Sequence, residues 1–137
     1  MAHELTHATA DPYGPPEDRL DWADEGYADF VGNKELGHDG YFLTAASVAR
    51  KFVHSKSWKG TLPSNDTFYR KNVNANYAVS ERFFEYVAKT YGTSKTTKFY
   101  IALKTSPDQD VNAAAHKVLK VSEKSLMSAW ASWMKRQ

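Results

Sequence analysis

His3-Glu4-Leu5-Thr6-His7 sets two imidazoles four residues apart with a carboxylate between them, close to the start of a 137-residue chain. On a helix, positions i and i+4 lie about 40° apart round the axis, so His3 and His7 aim at one point in space. Such a point becomes a metal site when a third ligand arrives. Catalytic zinc commonly takes three protein ligands, and two histidines with a glutamate are one of the recurring sets. Glu4 sits about 100° round from His3, beside the metal position rather than on it. A carboxylate there suits a general base that takes a proton from water at the metal.

The segment Trp22-Ala23-Asp24-Glu25-Gly26-Tyr27-Ala28-Asp29-Phe30 supplies the candidate third ligand. Glu25 and Asp29 are four apart and share a helical face. Glu25 can therefore ligate, while Asp29 accepts the free ring N–H of a ligating histidine and fixes its tautomer and direction. Plainer readings stand beside these. A His-x-x-x-His pair also occurs on the solvated face of a helix, and Asp24, Glu25 and Asp29 would be the wet side of an amphipathic helix whose dry side is Leu20, Ala23, Tyr27, Phe30 and Val31. With no cysteine in the chain, a metal must use histidine and carboxylate ligands, and no disulfide framework is possible.

His3-Glu4-Leu5-Thr6-His7 together with Glu25-Gly26-Tyr27-Ala28-Asp29 resembles the gluzincin metallopeptidases, in which H-E-x-x-H on one helix is completed by a glutamate on the next. The Glu25 and Asp29 pairing is similar to the thermolysin-type arrangement. The phrase from Trp22 to Phe30, with seventeen residues between His7 and Glu25, is closer to the peptidase MA-like and basic-secretory-protein branches. Tyr77 to Val87 followed by Tyr91-Gly92 resembles the helix after the zinc site in those proteins, and Ser122 to Trp133 resembles their closing helix. The resemblance implies a zinc metalloendopeptidase or aminopeptidase-like hydrolase with His3, His7 and Glu25 on Zn2+, Glu4 as base, Asp29 supporting a histidine and a peptide or protein as substrate. It also implies a secreted or extracellular setting. Similar peptidases put a tyrosine at the start of the helix that follows the zinc site, which makes Tyr77 a candidate oxyanion donor; the other reading of Tyr77 is a core residue one heptad before Phe84. Gluzincins usually carry a mostly β subdomain before the zinc helix, and here the motif begins at residue 3, so an N-terminal subdomain is expected to be missing or supplied by a partner.

The elements that must hold these residues read as helices joined by polar turns. Helix one carries the histidines and stops before Asp11-Pro12-Tyr13-Gly14-Pro15-Pro16, because a residue preceding proline avoids the α region. Helix two is predicted from about Leu20 to Glu35, ending near Gly37, and helix three from Leu43 to Val53, with Phe42, Ala46, Ala49 and Val53 at helical spacing. His54 to Asp66, with Gly60 and Pro63, is the longest loop candidate, either a mobile flap or a functional rim. Ala75 to Tyr91 forms a core-facing helix through Phe83, Phe84, Val87, Ala88 and Tyr91, closed by Gly92. Thr93 or Ser94 is expected to cap the next helix, which buries Phe99, Ile101 and Leu103 before Pro107. Asp110 caps a short helix through Leu119, and Ser122 caps the last one, where Leu126, Trp130, Trp133 and Met134 face the core. No run alternates over six residues, so the fold class is mainly α, a single domain of about six helices.

Composition bounds the rest. With 42% hydrophobic residues and 14% aromatic, 137 residues can bury one core. No stretch of about 18 uncharged apolar residues occurs, which leaves no membrane-spanning helix to predict, and no signal peptide opens the chain as it stands. A net charge of +2 with interleaved signs gives no basis for nucleic-acid binding, and Arg50, Lys51, Lys56 and Lys59 round Trp58 read as a solvated loop. His38, His54 and His116 lack partners at ligand spacing and read as exposed or backbone-bonded. Three functions compete for these features: a zinc peptidase, a zinc-binding but inactive structural or protein-interaction domain, and a metal-free helical module. The last leaves Glu4, Glu25 and Asp29 without a purpose.

Overall fold

The computed structural model describes residues 2–10, 20–36 and 39–137. The helix stop at Asp11 to Pro16, Gly37 and His38 lie outside them. Among the described residues the chain is all helical, with seven α-helices and no strand, as the patterning requires. No helix among them is long and apolar enough to cross a membrane.

Helix α4, Val73–Tyr91, is the central post, with Val79, Phe83, Phe84 and Val87 fully buried. A helix that is apolar on several faces needs neighbours on each of them. Around it pack α2 (Asp21–Leu36), α3 (Asp39–Val53), α5 (Thr93–Thr105) and α7 (Glu123–Arg136), while α1 (Ala2–Ala10) lies along α2. Between α5 and α7 come a 3-10 turn, Pro107–Gln109, then α6, Val111–Ala114, which runs into a π-helical turn, Ala115–Leu119.

Aromatic rings fill the space between α2, α4, α5 and α7. Trp22 meets Phe83 edge-on at 5.2 Å, Phe83 meets Trp130 at 5.6 Å, and Tyr27 stacks on Tyr100 at 4.1 Å. Such pairs contribute about 0.5–1.5 kcal/mol each beyond the area they bury. Trp130, Leu126 and Met134 are core as expected, whereas Trp133 is only half-buried and stacks under the Arg82 guanidinium at 4.5 Å. Ile101 is likewise half-exposed while Phe99 and Leu103 are fully buried.

Caps follow sequence chemistry at two helices and depart from it at a third. Asp110 Oδ1 accepts from Ala113 N at 3.1 Å, and Ser122 Oγ accepts from Ser125 N at 3.1 Å. Neither Thr93 nor Ser94 caps α5; Gly92, at φ 95, ends α4 and opens α5 with no residue to spare, and Thr96 Oγ1 donates to its carbonyl. Helix α3 begins four residues before the predicted Leu43, so Asp39 and Gly40, expected in a turn, are helical.

The stretch between α3 and α4 is anchored, not a free flap. Trp58 packs edge-on against Trp130 at 5.9 Å, Phe68 is fully buried, and the Asn76 amide donates to the carbonyls of Phe68 and Lys71. Asn65 Oδ1 accepts from Asp21 N at 2.9 Å and so satisfies a donor in the first turn of α2. The loop thereby becomes a rim along the side of α2 that carries Glu25.

Helices α2 and α4 cross so closely at Gly26 that a Cβ there would stand 2.7 Å from the backbone C and O of Ser80. Backbone cannot give way as a side-chain tip can, so overpacking here is costly. Gly26→Ala is expected to lower stability by about 2–3 kcal/mol, at the upper end for an inserted methyl group, and to lower Tm by roughly 10 °C in a chain of this size. An unchanged Tm by calorimetry would mean that the two helices part without cost.

Candidate metal centre

Helix α1 delivers His3 and His7, and α2 delivers Glu25 and Asp29, as the two motifs predict. The helices approach closely because Gly32 faces the first turn of α1; a Cβ at Gly32 would already lie 3.4 Å from His3 N. The wet-face reading of α2 fails. Asp24 is 5% exposed and Glu25 8%, so these carboxylates are inside and need partners.

Three ligand atoms converge. His3 Nε2 lies 2.9 Å from His7 Nε2 and 3.2 Å from Glu25 Oε2, and His7 Nε2 lies 3.5 Å from Glu25 Oε2. Donors bound about 2.0–2.1 Å from a tetrahedral zinc stand roughly 3.3–3.4 Å apart, and the three edges straddle that value. The three atoms lie close enough together to hold a metal ion, with the histidine edge the shortest.

The tautomer fits as well. His3 Nδ1 is 2.7 Å from Asp29 Oδ1. A carboxylate only accepts, so Nδ1 carries the hydrogen and a neutral ring presents a bare lone pair at Nε2, the atom that faces the other two ligands. Glu25 divides its oxygens between two tasks: Oε2 faces the histidines, and Oε1 accepts from the Tyr69 hydroxyl at 2.9 Å. Tyr69 thus leaves Oε2 as the Glu25 oxygen that faces the histidines.

The charges favour a cation. Burial works to raise the Glu25 pKa, but hydrogen bonds from His7 and Tyr69 and the charges of His7 and His3 outweigh it, so Glu25 is held below the ordinary carboxylate value. His7 is raised above 6.5, because its hydrogen bond with Glu25 outweighs desolvation and the charges of Glu25, Asp24 and Glu4 add to it. The Tyr69 phenol is pushed well up by burial and by Glu25, and it stays a donor.

Glu4 stands apart from the ligand set, its side chain 80% exposed and Oε1 3.9 Å from His3 Nε2. Tyr77 is half-buried in the fifth position of α4, its ring 5.2 Å from Phe68 and 6.4 Å from Tyr69. Burial first, then the charges of Glu25 and Asp29 and a hydrogen bond toward Glu25, push its phenol up to about 12. His54 and His116 are exposed, away from any described cluster of ligands. Tyr69 escaped the sequence reading, since it follows the polar loop at no helical spacing from Glu25. Its one signal is an aromatic pair, Phe68-Tyr69, inside a hydrophilic run.

Comparison of the chain with protein-family models, with curated proteins and with solved structures gives no match. The chemistry of the centre therefore rests on its own atoms, and two outcomes are expected of them. Asp29→Asn and Tyr69→Phe should each weaken zinc binding about 10- to 100-fold in a competition titration with a chelator, the usual cost of losing an outer partner. Zinc affinity should also fall with acid in a predictable window. A raised His7 keeps its proton to higher pH in the metal-free protein, so affinity is full above the raised pKa and declines as pH drops through it, starting above 6.5. Glu25, being lowered, stays ionised throughout that window. Affinity unchanged between pH 8 and 6, on a scale set by the ordinary imidazole value of about 6.5, would show that His7 is not a ligand.

Proposed function

We propose that the chain is a zinc-dependent metallopeptidase of the gluzincin kind, with His3, His7 and Glu25 as ligands, and the observation that carries the reading is the Nε2, Nε2, Oε2 triangle backed by Asp29. A zinc ion held by His3, His7 and Glu25 would supply Lewis acidity for the scissile carbonyl and would acidify the attacking water. Glu4, exposed beside the triangle, takes the proton from the attacking water and returns it to the leaving amine. Tyr77, whose pKa of about 12 keeps it protonated at neutral pH, donates its O–H to the carbonyl oxygen as negative charge gathers there. Tyr69 stays on Glu25 and keeps the ligand from swinging.

The surroundings support a peptide as the substrate. Tyr69, 46% exposed and bonded to Glu25, is a large hydrophobic at the surface beside the triangle, whereas Leu5, 59% exposed, lies on the side of α1 that faces away from His3 and His7. An exposed aromatic ring beside a polar centre suits an extended chain that needs both to be bound and to be cut. The same surface suits a protein partner, and on that observation the second reading is a zinc-binding, inactive domain that docks a protein.

Variants tell the roles and readings apart. Glu4→Gln should retain stoichiometric zinc by elemental analysis and lose hydrolysis of a casein or peptide substrate by about 10²- to 10⁴-fold, the range for a missing general base. Glu25→Ala should lose the zinc itself. Tyr77→Phe should cut kcat about 10²- to 10³-fold with Tm nearly unchanged, the cost of one oxyanion donor. Full zinc occupancy with no hydrolysis by the unaltered chain would leave only the docking reading, and no zinc in a zinc-supplemented preparation would end both.

A further inference from the structure

A cavity of about 250 Å³ opens between α2, α3 and α4. It shares two residues with the metal centre: Asp29, which holds His3, and Tyr77. Its exposure is graded along its depth. Thr44 and Asn74 at the mouth are exposed, Ala45, Val48 and Ala78 form apolar walls, and Glu81 in the wall has no accessible surface at all.

Glu81 is the anomaly. Both carboxylate oxygens are buried and neither has a hydrogen-bond partner. Glu85 is close enough for its charge to act on Glu81, and it is bound to Arg82, whose Nη1 donates to Glu85 Oε2 at 2.7 Å. A buried polar group left without a partner costs about 1–3 kcal/mol, and more when charged, so a position that keeps one calls for a ligand. No lysine or arginine lines the cavity among the described residues.

We infer that this cavity is the specificity pocket for a lysine or arginine side chain of the substrate, its apolar walls enclosing the aliphatic stem and Glu81 receiving the cationic head. The inference rests on the peptidase reading for its purpose, since Asp29 and Tyr77 join the pocket to the metal centre. Its shape follows from how long cationic side chains bury, stem along apolar surface and charge on a polar partner. A long side chain with an apolar stem and a cationic tip meets both the walls of Ala45, Val48 and Ala78 and the acid of Glu81. Burial first, and the charge of Glu85 second, push the Glu81 carboxyl up to about 10, so it is a neutral acid until a cation arrives. On binding, the Glu81 O–H bond breaks, its proton leaves to solvent, and the carboxylate faces the ammonium or guanidinium.

The test measures binding rather than turnover, so its outcome is independent of whether the chain cleaves anything. Zinc-loaded Glu4→Gln protein is titrated with Nα-acetyl-lysine amide and with Nα-acetyl-norleucine amide, which keeps the stem and lacks the charge, while the backbone amide signals of Ala45, Val48 and Ala78 are followed by NMR. The lysine compound should shift those signals and bind about 10- to 100-fold more tightly, as a charged hydrogen bond implies. It should also release about one proton per ligand, read from the buffer dependence of the binding heat. Adding Glu81→Gln should abolish both the preference and the proton release and leave zinc affinity unchanged. Equal or stronger binding of the norleucine compound, or shifts confined to other residues, would overturn the pocket whatever Glu81→Gln does to folding. Intact selectivity in a chain that never hydrolyses peptide would instead overturn the peptidase reading and keep the pocket.

Discussion

Helix α2 carries Asp24, Glu25 and Asp29 into the protein, and the need to meet those carboxylates organises everything round it. A buried carboxylate without a partner costs several kcal/mol, so each must be reached by another part of the chain. Asp24 is met from α5, by the Tyr100 hydroxyl at 2.6 Å and by Lys104 Nζ at 3.1 Å. Glu25 is met by Tyr69 from the loop and by the histidines of α1, and Asp29 by His3. Three segments far apart in sequence are thus tied to one helix by its acids. The Asp24 pair secures the α5 side, so the adjacent Glu25 is presented toward α1 from a fixed support.

Gly26 sits in the middle of this arrangement for a reason of packing rather than chemistry. Seating α2 against the Ser80 backbone brings Glu25 on one side of the crossing and Asp29 one turn later into line with α1. The sequence Asp24-Glu25-Gly26 therefore encodes a buried ion pair, a candidate ligand and a close crossing in three consecutive residues. Glu81 is the exception to the rule that acids here are met, and it lies on α4 one residue beyond that crossing.

Much of this was legible beforehand, because helical periodicity and ligand spacing are both local signals. His3 and His7 at i, i+4 and Glu25 and Asp29 at i, i+4 required only that each segment be helical, and both are. The caps at Asp110 and Ser122 and the core positions of α4 and α7 were local in the same way. What escaped depended on contacts between distant segments. Tyr69 reaches Glu25 across forty-four positions and Lys104 reaches Asp24 across eighty, and no periodicity within either segment encodes such a meeting. The polarity of Asp24 suggested solvent for the same reason, since its partners lie on another helix. Gly92 displaced the expected Thr93 cap because a left-handed glycine ends one helix and starts the next without a spacer.

Helix α1 is the element whose order is most closely linked to the centre it builds. Helix α1 packs along α2, and its two histidines meet the acids that α2 presents. Of its side chains Thr6 is buried while Leu5 stays exposed, and His3 and His7 tie it to Glu25 and Asp29. A cation bridging two α1 ligands to one α2 ligand would add its binding energy to that docking, and anything that loosens α1 would weaken the cation's hold by the same amount. The chain therefore spends its largest aromatic contacts on α2, α4, α5 and α7, which hold Glu25 and Asp29 rigid, and leaves the histidine helix to be ordered by the chemistry of the site.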